Sequence, residues 1–208
     1  MKDQMDFQIP ARDEFLTGCE IYNEKEKKGP IYFQAVGVVS DNWSDNIGIA
    51  KGISIIIRGW NFLYANFNFN DLINCVSRNR NLLSDFRDRN ILNLSENDFV
   101  PMTILFNDFL EVLKREKDGA KSPVSVAKAL NPLAPDYFPI WDSSIAEAYK
   151  CGFIGYGPEN AASIYMRFCR KMKFMASQVK DYIPGPDDRS LLKRIDEYNY
   201  AKYTKYWI

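Results

Sequence analysis

Ala161, Tyr165, Phe168, Met172, Met175, Val179 and Tyr182 recur at alternating spacings of four and three. An α-helix turns once every 3.6 residues, so this pattern places them on one stripe; a strand would need apolar residues at every second position. The stripe reads as the buried face of a long helix, with Arg167, Arg170, Lys173 and Lys180 off it on a basic outer surface.

The same arithmetic applies upstream. Phe15, Leu16, Cys19 and Tyr22 share one side of a helix from Arg12 to Lys27, which closes at the Gly29-Pro30 break. Ile47, Ala50, Ile53, Ile57, Trp60 and Tyr64 form a second series behind Ser44 or Asp45, both good N-caps. Leu72, Val76, Leu83 and Phe86 form a third, opened by Asn70 or Asp71. Ser95-Glu96-Asn97-Asp98 resembles a capping box before Phe99–Lys114, where Pro101 is tolerated in the first turn. Leu191, Leu192, Ile195 and Tyr198 mark a last helix, opened by Asp187 or Asp188 after Pro184-Gly185-Pro186. Ile31–Val39 is open between a short helix and a single strand, because Val36, Val38 and Val39 favour extension. The expectation is an all-α fold of one domain over residues 1–208: an orthogonal array of about seven or eight helices with at most one minor strand.

Composition narrows the chemistry. Lysine plus arginine number 27 and aspartate plus glutamate 27, so any contact with nucleic acid has to use a local basic patch. With no histidine there is no Ser-His-Asp or Cys-His nucleophile and no histidine metal ligand or general base. Cys19, Cys75, Cys151 and Cys169 stand far apart without a Cys-x-x-Cys pair, which reads as buried thiols; no metal and no cofactor is expected. Acids near the N-terminus and the short apolar run Ile53–Ile57 suggest neither a signal peptide nor a membrane span, so a cytoplasmic location is expected.

Between Gly119 and Pro158 the spelling changes. Ser122-Pro123 opens a short helix, Pro132 and Pro135 follow, and Tyr137-Phe138-Pro139-Ile140-Trp141 leads into Asp142 and the helix Ser143-Ser144-Ile145-Ala146-Glu147. Two readings are open. In one, Asp142, Ser143 or Ser144 is an N-cap, Ser144 and Glu147 make a capping box, and Trp141 is core. In the other, Asp142 is a chemical carboxylate at a helix N-terminus beside an aromatic wall, where burial raises and the helix dipole lowers its pKa. The loop Gly152–Gly157 lacks a preceding strand and a Gly-Lys-Ser/Thr ending, so it reads as a helix connection rather than a phosphate cradle. Tyr198, Tyr200, Tyr203, Tyr206 and Trp207 read as a docked aromatic tail, with base stacking as the other option.

Ser125-Val126-Ala127 followed by Phe138-Pro139-Ile140-Trp141-Asp142-Ser143-Ser144-Ile145 resembles the core of the helix-hairpin-helix base-excision DNA glycosylases, especially their adenine-specific branch. The resemblance covers roughly residues 119–175. It implies a helix-hairpin-helix glycosylase-like scaffold and a catalytic role for Asp142, which would stabilise the cationic sugar as the N-glycosidic bond breaks or help to activate water. It further implies a flipped base held near Trp141, Tyr137, Ser125 and Lys128, and duplex DNA phosphates on Lys121, Ser122 and Arg167. The family's Gly-x-Gly hairpin turn reads Lys121-Ser122-Pro123 here, and Ser125 stands where bifunctional members carry a Schiff-base lysine. Lys128 lies one turn further on, so the implied activity is that of a monofunctional glycosylase without lyase chemistry. The alternative is a non-catalytic helical module binding nucleic acid or protein on a related scaffold.

Overall fold

The computed structural model describes residues 7–152, 157, 160–183 and 189–208. Ten α-helices run in chain order among these residues: α1 Arg12–Lys25, α2 Gly29–Asp41, α3 Asn46–Trp60, α4 Phe69–Arg78, α5 Arg80–Arg87, α6 Phe99–Val112, α7 Pro123–Leu130, α8 Ser143–Ala148, α9 Ala161–Val179 and α10 Leu191–Asn199. No strand occurs among the described residues, and no helix among them is long and apolar enough to cross a membrane.

The valine-rich segment resolves as α2, because tertiary packing outweighs a weak extended propensity. Tyr32, Ala35 and Val39 face inward at helical spacing and lie against α3. Gly52 makes that approach possible: a Cβ there would stand 2.5 Å from Val39 Cγ2 and 3.0 Å from the Ala35 carbonyl oxygen. Asp45 caps α3, accepting from the backbone N–H groups of Ile47 and Gly48.

The helix expected across Leu72–Phe86 divides at Asn79. Its side chain turns back to donate to the Cys75 carbonyl oxygen at 3.1 Å and to Asp108 Oδ2 on α6 at 2.8 Å. Asn68, not Asn70 or Asp71, caps α4. The Ser95–Asp98 capping box is present, and Arg89 braces it with two donors to Asp98, at 2.8 and 2.9 Å. At the last helix the cap is Ser190, whose hydroxyl accepts from the Lys193 N–H. Asp187 and Asp188 lie outside the described residues, as do Pro184–Pro186 and most of the Gly152–Gly157 loop.

The stripe residues from Ala161 to Val179 are buried, Tyr182 is half-buried in the 3-10 turn that follows α9, and all four cysteines are buried free thiols. The α9 stripe meets α6 through Phe106, whose ring lies 5.1 Å from Tyr165 and 6.5 Å from Trp141. Around this seam α1 packs on α10, and α7 fits between α3 and α6. The aromatic tail is docked through its first part, where α10 passes into a π-helical turn, Tyr200–Thr204, that touches α1 and α8; Tyr206 beyond it is exposed.

Candidate active site around Asp142

Asp142 stands where it does because both sides of its approach are tied down. Asn131 Nδ2 donates to the Phe138 carbonyl oxygen at 2.7 Å, and Tyr165 Oη to that of Pro139 at 2.8 Å. Proline restricts the backbone between them. The Trp141 ring is fully buried, stacked on Phe168 at 6.1 Å and tilted against Tyr165 at 5.5 Å. The chain therefore reaches Asp142 in one conformation and leaves it as α8.

The Asp142 carboxylate then divides its oxygens. Oδ1 accepts from the Ile145 N–H at 2.8 Å, which is the N-cap bond; Oδ2 accepts from Thr204 Oγ1, in the π-helical turn, at 2.9 Å. The expected Ser144–Glu147 capping box does not form, because Asp142 rather than Ser144 is the cap. Burial raises the Asp142 pKa above the ordinary carboxylate value, while the Ile145 N–H, Thr204 and the charge of Lys128 pull it down.

Two clefts meet at this carboxylate. The first, of about 100 Å³, lies between Tyr22 and Glu26 of α1, Lys28 and Trp60 at the ends of α2 and α3, Lys128 of α7, and Asp196 and Tyr200 of the α10 segment, with Ile140 and Asp142 at its base. The second, of about 250 Å³, lies at the start of α7 and is lined by Asn61, Tyr64, Lys121, Ser122, Pro123, Val124, Asp142 and Ser143. Ser122 caps α7 by accepting from the Ser125 N–H, and Asn61 Nδ2 donates to both hydroxyl oxygens, at 3.1 Å to Ser122 and 2.7 Å to Ser125.

The residues expected to form the site separate into three groups. Asp142 and Lys128 share the first cleft, and Asp142, Lys121 and Ser122 share the second. Lys128 Nζ donates to the Trp60 carbonyl oxygen at 3.0 Å, and desolvation lowers its pKa. Lys121 pairs with Glu111, so its charge is already partly answered. Ser125 is fully buried beneath Asn61, at the rear of the turn.

Tyr137 and Trp141 are corrections. Both are fully buried in the core, Tyr137 against Phe86 at 5.0 Å and under Arg89, so neither presents a face to a flipped base. The large aromatic side chains complete the core and cannot also be exposed. The aromatic walls of the first cleft come from Tyr22, Trp60 and Tyr200 instead. Arg167 is exposed on α9 and lines neither cleft, and its neighbours are engaged: Arg170 pairs with Glu96, and Lys173 donates to the Leu94 carbonyl oxygen.

Asn61, Thr204 and Asp196 belong to the site without any local sequence signal, since the end of α3 and the α10 segment bring them there by tertiary packing. The acids Asp108 and Glu111, three apart on α6, are occupied by Asn79 and Lys121. Among the described residues no group of three or more Asp, Glu or Cys side chains is placed to hold a metal ion. Comparison with protein-family models, curated proteins and solved structures finds no match.

Proposed function

We propose that this protein hydrolyses the N-glycosidic bond of a nucleic-acid base drawn out of its duplex, as a monofunctional glycosylase-like enzyme with Asp142 as the catalytic carboxylate. The observation that carries this reading is that Asp142 lines both clefts, one walled by aromatic rings and one at the start of α7. An extruded base fits the first and the adjoining phosphate the second, so the scissile bond falls beside the carboxylate. As that bond breaks, positive charge grows on the sugar, and an anion held rigidly beside it stabilises the transition state more than the ground state. The bonds from Ile145 and Thr204 supply that rigidity. Lys121 and the hydroxyl of Ser122 are the phosphate-side groups of this scheme.

The test is base release from duplexes carrying a broad set of damaged and mismatched bases, comparing wild type with Asp142→Asn. Loss of release in a variant that keeps its melting temperature supports the proposal. No release across the set, together with no duplex binding at low salt, sinks it.

A second reading, a non-catalytic helical module, draws on different observations. Both Asp142 oxygens are satisfied within the chain, Lys121 is paired with Glu111, and the chain carries 27 cations against 27 acids. It expects Asp142 substitutions to change stability and nothing else.

A further inference from the structure

We propose that the cleft beside Asp142 reads its occupant through Asp196, and that it takes a flat heterocycle presenting two adjacent N–H donors, guanine being the nucleobase of that description. The inference rests on the reading of this cleft as the base pocket, but concerns the base that is bound and not the bond that is cut.

Asp196 lines the cleft from α10 and is only 6% exposed. Its Oδ2 accepts from Lys193 Nζ at 2.8 Å. Lys193 is itself fully buried, donates to Tyr22 Oη at 3.2 Å, and lies 4.4, 5.0 and 5.3 Å from the ring centres of Tyr22, Tyr32 and Trp60. Burial alone would depress the lysine's pKa, but Asp196, Tyr22 and Glu197 together hold it above its ordinary value. A cation fixed inside an aromatic cage thus fixes a carboxylate in the wall of the cleft. Lys193 is a positioning residue, and Asp196 is the group that meets the ligand.

A carboxylate paired in this way only accepts hydrogen bonds, and its oxygens retain lone pairs beyond the one given to Lys193. An occupant that turned a carbonyl or a ring-nitrogen lone pair towards Asp196 would leave two acceptors facing each other. Guanine sets its N1–H beside its 2-amino group, matching the two oxygens. Adenine and cytosine each put a donor beside an acceptor, and uracil and thymine flank one donor with two carbonyls. The volume, about 100 Å³, is small beside the roughly 300–1,000 Å³ of sites that take larger ligands, so one flat ring system is the fitting load. Trp60, Tyr22 and Tyr200 line the cleft around it.

The test titrates the full chain with guanosine, with inosine, which lacks the 2-amino group, and with adenosine, followed by calorimetry or NMR. Guanosine should bind about tenfold or more tightly than adenosine, with inosine weaker than guanosine, and Asp196→Asn should remove that preference. Because Asp196→Asn takes from a buried lysine the nearer of its two carboxylates, the double variant Asp196→Asn/Lys193→Met repeats the test with neither charge present. Equal affinities, no guanosine binding, or a preference that survives in both variants overturns the inference. Base release is measured in parallel: a protein that prefers guanosine but releases no base overturns the glycosylase reading and upholds this one.

Discussion

Thr204 Oγ1 donates to Asp142 Oδ2 at 2.9 Å, so the π-helical turn that follows α10 is fastened to the residue that caps α8. π-Helical turns are rare and occur often at functional sites. The bond joins positions 62 residues apart and gives the candidate catalytic carboxylate its fixed geometry. Thr204→Val should leave α8 capped through Ile145 while freeing Oδ2. The expected result is a loss of about 1 kcal/mol in urea denaturation, with a larger fractional loss of base release than of stability if the carboxylate acts as proposed.

Asp142→Asn and Asp142→Ala separate capping from chemistry. Asparagine caps nearly as well as aspartate, so the first should change stability by about 1 kcal/mol or less, and the second should cost about 1–2 kcal/mol. Equal loss of base release in both would assign a catalytic role to the charge. Release that follows melting temperature across the two would assign only the cap.

The pH dependence of stability should carry two opposite contributions. Burial raises the Asp142 pKa, so the fold binds this proton more tightly than the unfolded chain does. Its contribution is fully present below the unfolded value, near about 4, and is lost as pH rises through the higher folded value. Burial would also raise the pKa of Asp98, yet Arg89 and Ser95 hold it well below the usual carboxylate range, so its contribution is present above the unfolded value and lost as pH falls. Urea denaturation from acid to neutral pH should show Asp142→Asn gaining on wild type as pH rises, and Asp98→Asn gaining on it as pH falls. Parallel profiles for all three proteins would contradict both assignments.

The thiols should be silent in the native state. Burial pushes Cys19 up to about 12 and Cys75 up to about 11, and the thiolate is the reactive form. Ellman's reagent should therefore find no fast-reacting thiol in folded protein and all four cysteines in denaturant.

Two backbone sites give stability tests remote from the chemistry. Lys150 occupies a left-handed conformation, φ 50°, at the end of α8, where its N–H donates to the Glu147 carbonyl oxygen and that of Cys151 to Ala146. That geometry favours glycine, so Lys150→Gly should stabilise by about 0.5–1 kcal/mol. Gly52→Val should cost about 2 kcal/mol, because the added methyls meet Val39 and the α2 backbone.

The helical class was legible in the sequence because apolar residues at spacings of three and four are a local property, and the stripe is buried throughout α9 as its spacing requires. Caps that act on their own helix were equally legible at Asp45, Ser122 and Asp142. Short-range signals failed where a side chain had a distant partner: Asn79 splits a helix to reach Asp108, and the valines of α2 are held helical by the close approach at Gly52.

Around Asp142 the division is sharper. That a proline-fixed aromatic run delivers a carboxylate to a helix N-terminus could be read from the residues alone, because proline, capping and helix periodicity act within a few residues. Packing between helices places Tyr137 and Trp141 in the core, sets Lys128 and Asp142 in one cleft, and brings Thr204, Asp196 and Asn61 around them. Burial depends on which surfaces other helices cover, and that is settled by packing across the whole chain, where local spacing carries no information.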